Sequence, residues 1–283
     1  MAETDIKWDK VRLWLLWLAL PLMIGLLAAS AIPRPVIGII RLDDAIYPYT
    51  ARDMIAQINY AMEHPEIRAV VLAFDSPGGT VVDTESVYME LSRLRAKKPV
   101  VTAVNGMAAS GAYYLAVNTD HIYVKSTSEI GNIGVIGYLP PSPFIFEEII
   151  STGPYKLWGS PRDADMRQID MVKQGFFQVV QMGRGKRIKA GADVILSGKI
   201  WIGTEAVKIG IADEIGSERD ALNKAAELAR VAHYKTVDLR SLAVSTPMSQ
   251  PSFFIQSPEG ITFPYPTEPG VYMLYIPQLP VKP

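Results

Sequence analysis

The stretch that most constrains this chain is Val100–Thr119, VVTAVNGMAASGAYYLAVNT. The residues Pro99 to Val104 are apolar, β-branched and bounded by breakers, which predicts a short buried strand. Asn105-Gly106 follows, then small residues from Met107 to Ala112 around Ser110, then an apolar run, Tyr113 to Val117, long enough for a short helix. Strand, tight small-residue turn and helix are the parts with which an α/β protein presents a nucleophile. Small neighbours let a substrate backbone approach, and a helix start favours developing negative charge. A serine there also serves as a simple N-cap. The local pattern leaves both roles open.

The preceding unit has the same plan. Val36–Leu42 predicts a first strand, and Thr50–Met62 a helix whose Met54, Ile55, Ile58 and Met62 share one face. Ile67–Phe74 is a near-continuous apolar run, expected of a parallel strand covered on both sides. Asp75-Ser76-Pro77-Gly78-Gly79-Thr80 follows at once, then a helix over Thr84–Arg95. Two consecutive strand–loop–helix units place the Gly78-Gly79 loop and the Ser110 loop at one edge of a sheet, where ligands bind. The glycines leave amides facing a cleft without side-chain obstruction, a place able to receive an oxyanion, and the same residues also read as a simple Pro-Gly turn. Further on, Asp120–Val124 predicts a strand, Thr127–Tyr138 a strand or loop at the cleft wall, and Phe144–Ile150 a helix. Helices are also expected over Asp163–Met182, Thr204–Lys208 and Glu218–His233. The basic run Arg184, Lys186, Arg187 and Lys189 reads first as a solvated surface and second as a contact for membrane lipid or an acidic substrate.

Residues 13–33 carry no charged side chain, a length matched to the bilayer core, with Lys7, Lys10 and Arg12 ahead of it. This predicts a single membrane span with a cytoplasmic N-terminus and the remainder extracytoplasmic. Ala29-Ser30-Ala31 resembles a processing site, but the apolar run is longer than a signal peptide requires. The domain organisation expected is therefore an anchor over 1–33, a catalytic domain over 34–240 and a Pro-rich, apolar tail over 241–283. The tail is too aromatic to be a solvated linker, and it is expected to occupy a groove or to be trimmed by the protein itself.

Charge and composition remove several classes. Lys and Arg (28) nearly cancel Asp and Glu (29), which disfavours a nucleic-acid partner. There is no cysteine, so thiol nucleophiles, thiolate metal sites and disulfides are excluded, and three histidines make a histidine-rich metal centre improbable. No cofactor is expected. A serine nucleophile needs a base. Neither His64, His121 nor His233 lies in a loop that naturally points to Ser110, although His121 stays open. Lys156 is the other candidate, because Pro154, Tyr155, Leu157 and Trp158 supply apolar surroundings in which an ammonium loses its proton more readily.

An ordered set of motifs then carries a resemblance: Asp75-Ser76-Pro77-Gly78-Gly79; Asn105-Gly106 through Ala109-Ser110-Gly111 to Tyr113-Tyr114; Gly131-Asn132-Ile133-Gly134-Val135-Ile136; Gly153-Pro154-Tyr155-Lys156 with Ser160-Pro161; Gly198-Lys199-Ile200-Trp201; and Gly203 through Gly210-Ile211-Ala212-Asp213-Glu214-Ile215-Gly216. Over about residues 36–217 the chain resembles the signal peptide peptidase A family of membrane-anchored serine proteases, in the Clp-protease/crotonase-like superfamily. The resemblance implies an α/β fold of repeated β-β-α units. It implies Ser110 as nucleophile, Lys156 as general base, and amides at Gly78, Gly79 and Gly111 as the oxyanion hole. Asn132 stands where many relatives have a serine that positions the lysine; its carbonyl is expected to accept from the ammonium instead. Apolar peptides such as signal-peptide remnants, a lipid bilayer and a homo-oligomer are the implied partners. Processing of membrane partners, as in stomatin-associated relatives, and a catalytically silent scaffold are the competing functions.

Overall fold

The structure, a computed structural model, describes residues 8–31, 34–138, 152, 162–244, 254–256, 262–264 and 270–276. In chain order the elements are α1 Trp8–Ala31, β1 Val36–Leu42, α2 Pro48–Glu63, β2 Ile67–Ser76, β3 Gly78–Thr80, α3 Val81–Arg95, β4 Val100–Ala109 and α4 Gly111–Ala116. There follow β5 His121–Val124, β6 Glu129–Gly131, β7 Ile136–Tyr138, α5 Arg162–Arg184, α6 Ala192–Ile195, β8 Ile200–Ile202, α7 Gly203–Ile209, β9 Glu214–Ile215 and α8 Glu218–Leu228. The remainder comprises β10 Lys235–Asp238, α9 Arg240–Ala243, β11 Phe254–Gln256, β12 Thr262–Pro264 and β13 Gly270–Leu274. The helix expected over Phe144–Ile150, and Lys156 with its apolar neighbours, lie outside the described residues.

A parallel sheet in the order β10-β1-β2-β4-β5-β9 forms the centre. The strand sequences explain its two coverings. Alternate side chains point to opposite faces, and Val70, Leu72 and Phe74 join the large core under α2, α3 and α4. Ala69, Val71, Val101 and Ala103 face the other way, onto Ala221, Ala225 and Ala226 of α8. Small residues on both surfaces let that helix pack close. Both faces are thus apolar, and β2 reads as one unbroken hydrophobic run for this reason.

β2, β3 and α3 form one β-β-α unit. In the unit before it, β1–α2, the place of a second strand is held by Ile46, which bridges to Gly79 in parallel sense. Asn105-Gly106, which reads as a turn, instead stays within β4. That strand pairs with β5 through Val101–Val104 and then with β6 through Met107–Ala109. The cause is a contact from the neighbouring strand: Asp75 Oδ1 accepts the Met107 amide at 3.0 Å and occupies the space where a Gly106 side chain would sit. The continuation extends β4 to the residue before Ser110. The last long helix ends at Leu228 rather than reaching His233, because Arg230 turns left-handed with φ 56°.

The basic run is not uniformly solvated. Arg184 is 3% exposed and donates Nη1 and Nη2 to Asp213 at 2.7 and 2.9 Å, with Nε on the Gly210 carbonyl at 3.0 Å. Asp213 also accepts from Arg187 and from the Ile122 amide. Burial by itself raises the Asp213 pKa, but the Arg184 hydrogen bonds and charge, the Ile122 amide and Arg187 outweigh it and hold the carboxylate below its ordinary range. α1 forms where the charge-free run lies, with the apolar side chains of Trp14 to Leu27 exposed. Among the described residues no helix is long and apolar enough to cross a membrane, so the expected span finds no support there.

Candidate active site

Ser110 sits where the central strand β4 hands over to α4, at the C-terminal edge of the sheet. Its backbone is at φ 52° and ψ −114°, a conformation that L-residues avoid and that surrounding structure must hold in place. Three anchors hold it. The Ser110 amide donates to the Gly131 carbonyl at 2.8 Å, the Ser110 carbonyl accepts from Tyr114 at 2.9 Å, and all six residues of α4 are buried. Tyr113 fixes that helix by donating its hydroxyl to the Ile211 carbonyl at 3.0 Å, inside the loop secured by Arg184 and Asp213. The Ser110 hydroxyl makes no capping hydrogen bond, so the N-cap role open in the sequence is not the one observed.

The Gly78-Gly79 loop comes to the same place. Ser76 is fully buried and accepts the Gly78 amide at 3.3 Å, setting the turn. Gly78 has φ +93°, which glycine tolerates. Ile46 clamps the other side: its amide donates to the Gly78 carbonyl at 2.7 Å and its carbonyl accepts the Thr80 amide at 2.9 Å. Thr80 then caps α3 by accepting from the Asp83 amide. The approach between the loops is close enough to exclude any side chain. A Cβ on Gly78 would lie 2.6 Å from the Gly111 nitrogen, and one on Gly111 would lie 3.3 Å from the Gly79 nitrogen. The backbones of Gly78, Gly79 and Gly111 therefore lie against one another next to Ser110 in the chain's fold.

Asn132 directly follows Gly131, whose carbonyl accepts the Ser110 amide, and is left-handed with φ 53°. Its amide donates to the Lys199 carbonyl at 2.8 Å and its Nδ2 to the Gly198 carbonyl at 2.6 Å. The side chain is thus oriented by the β6–β8 region, with its Oδ1 turned away from Gly198.

The histidines are elsewhere. His121 is in register with Val101 at the start of β4, nine residues and so about 30 Å of strand from Ser110. Burial lowers its pKa, and its Nε2, 3.6 Å from Glu214 Oε2, has no hydrogen-bond partner among the described residues. His64 ends α2, stacks on Tyr60 at 3.7 Å and offers its carbonyl to Lys98. His233 precedes β10, whose Lys235 pairs with Val36 at the start of β1. All three belong to the N-terminal edge of the parallel sheet, opposite Ser110. The opening left for His121 by the sequence is closed by this register.

One part of the site is not specified by the sequence beyond the expectation that the tail occupies a groove. β13 lies between β3 and β7, antiparallel to both, with Met273 opposite Gly79 and Tyr272 opposite Ile136. Its pattern, GVYML, alternates like any strand, but only assembly shows which edge it joins.

Comparison with known proteins agrees with this architecture. The family model described as peptidase family S49 matches residues 92–232, and that of Clp protease matches residues 37–128. A candidate protease of Methanocaldococcus jannaschii is 32% identical over 212 residues, covering 69% of this chain and 68% of the relative. Protease 4 of Salmonella typhi is 32% identical over 190 residues, covering 62% of this chain, which spans 31% of that longer protein. A candidate signal peptide peptidase of Enterococcus faecium is 27% identical, covering 62% of this chain and 55% of its own length. A variant of a membrane-bound stomatin-specific protease superposes with a TM-score of 0.49 at 16% identity, over 74% of this chain and 95% of that one, a likeness that carries no functional weight. With both strand–loop–helix units inside the matched regions, the chain belongs to peptidase family S49, the family of protease 4 and signal peptide peptidase A.

Proposed function

We propose that the chain is a membrane-attached serine endopeptidase in which Ser110 is the nucleophile and Lys156 the general base. The observation that carries the reading is the Ser110 turn: a strained, rigidly anchored serine whose hydroxyl caps nothing, with the Gly79 and Gly111 backbone nitrogens brought close together beside it. Lys156 is favoured as base because the chain has no cysteine and its three histidines lie at the opposite edge of the sheet. In its neutral form the amine takes the Ser110 proton, and the alkoxide attacks a peptide carbonyl. The carbonyl oxygen becomes an oxyanion held by the Gly79 and Gly111 amides, with Gly78 shaping the turn. The ammonium then protonates the leaving amine, and water, deprotonated by the same amine, hydrolyses the acyl-enzyme. Asn132 serves as a positioning residue, its Oδ1 available to the ammonium.

The substrate class is apolar peptide, with signal-peptide remnants the leading candidates. The name of the Enterococcus relative and the apolar walls around β13 support this. Attachment through α1, N-terminus cytoplasmic and catalytic part outside, is supported by exposed apolar side chains from Trp14 to Leu27 behind a basic flank. A homo-oligomer is supported by exposed apolar residues on two helices, Val82 and Met89 of α3 and Met166, Met171 and Met182 of α5.

The test is intact mass after treatment with a fluorophosphonate, with turnover of an apolar peptide followed in parallel. One adduct at Ser110, and turnover lost in Ser110→Ala and in Lys156→Ala, is the expected result. Full turnover in Lys156→Ala refutes its role as base. An assembled protein with neither adduct nor turnover is a scaffold rather than a peptidase.

A further inference from the structure

We infer that β13 occupies the position of a substrate strand, so that the chain's own tail closes the cleft and displays its side-chain preferences. The inference rests on the serine-protease reading for the meaning of the site, and on sheet register for the occupancy.

Three observations place the strand. First, β13 completes a three-stranded antiparallel sheet whose outer members, β3 and β7, are the two walls of the cleft. An extended peptide added between two strand edges is how a backbone ladder binds peptide without regard to sequence. The Tyr275 amide prolongs the ladder by donating to the Pro77 carbonyl at 2.7 Å. Second, the Met273 carbonyl oxygen is the group found among the converging glycines. It lies 2.1 Å from where a Gly78 Cβ would be and 3.1 Å from where a Gly111 Cβ would be, with the Gly79 nitrogen next to it. That is the place a scissile carbonyl needs in order to meet the Gly79 and Gly111 amides. Third, the strand is sealed in: Tyr272, Met273 and Leu274 are 4%, 1% and 4% exposed.

The alternation of side chains then defines the subsites. Val271 and Met273 turn to the main core, and Tyr272 and Leu274 turn to Ala45 and Tyr47 in the loop after β1. The residue whose carbonyl faces the glycines therefore puts an unbranched apolar side chain into a closed apolar pocket. Its neighbours on either side meet an aromatic wall. Beyond Leu274 the groove opens into a cavity of about 720 Å³ bordered by Asn132, Val135, Gly198 and Ile276. A substrate peptide must displace β13 to bind. The preferred substrate is an extended peptide with methionine or a similar unbranched apolar residue at the position of Met273, which an apolar signal-peptide remnant supplies.

The experiment measures the rate of fluorophosphonate labelling of Ser110 in the full-length protein and in Met273→Asp, where burial of a carboxylate in the apolar pocket expels the strand. A cleft open about a tenth of the time or less labels about tenfold or more slowly than an open one. Met273→Asp is therefore expected to label at least about tenfold faster, and an end-capped peptide of sequence GVYMLYI, added in trans, is expected to slow it again. Amide hydrogen exchange of the wild type gives a second readout that no folding defect of the variant disturbs: Tyr275 is expected to be protected. Measurable and equal labelling rates in wild type and folded variant overturn the inference, as does rapid exchange of the Tyr275 amide. Absence of label from both proteins while Tyr275 stays protected refutes the serine-protease reading instead and leaves the occupancy standing.

Discussion

Replacing Gly79 by alanine tests how narrowly the site is built. The new Cβ would lie 1.8 Å from the Ile46 carbonyl oxygen, and no real Cβ sits within 3.0 Å of such an atom, so β3 and the Ile46 segment must part by about 1.2 Å. The Thr80–Ile46 hydrogen bond, 2.9 Å in the wild type, stretches or breaks, a loss of about 1 kcal/mol. The Gly79 amide shifts by a similar distance relative to Ser110, whose position is fixed from the other side by Gly131 and α4. A misplacement of about 1 Å costs on the order of a hundredfold in rate, which is about 2.7 kcal/mol in the barrier. The expected result is a roughly hundredfold fall in kcat for an apolar peptide, with a fall in melting temperature of only a few degrees. Turnover is followed in the wild-type and Met273→Asp backgrounds, so that release of β13 does not mask the change. Turnover within about threefold of the parent in both backgrounds refutes the claim that the Gly79 amide acts on the reacting carbonyl.

Two further predictions concern the support behind the site. Arg184→Met leaves Asp213 buried without its main partner, and it is expected to cost about 3–5 kcal/mol in denaturant unfolding. The pH dependence follows from the direction of the Asp213 shift. Its folded pKa is depressed, so its contribution is present above the unfolded value near pH 4 and is lost as pH falls through the folded value. Wild-type stability is therefore expected to drop as pH falls below about 4, and the gap between wild type and Arg184→Met to narrow over the same range. A gap that stays constant to low pH would show that Arg184 acts by packing alone.

The parts whose physics is local are legible in the residues alone. Continuous apolar runs at Ile67–Phe74 and Val100–Val104 demand strands covered on both sides, and the structure covers them with α2 to α4 on one face and α8 on the other. The Gly78-Gly79 pair and the small residues around Ser110 demand close backbone approach, and the two loops meet. Tertiary structure decided what depends on partners distant in the chain. Asn105-Gly106 has turn chemistry, yet Asp75 from the neighbouring strand holds it in β4. Arg184 belongs to a basic run, but Asp213 lies in its path and a bidentate pair forms inside the protein. His121 was open as a base until the register put it at the far end of the strand. The tail pattern around Tyr272 contains no instruction about which strand edges are free; β3 and β7 become available to it only once the sheet has closed around Ser110. Propensity and periodicity act within a few residues, whereas strand pairing and charge burial are settled between elements far apart in the chain.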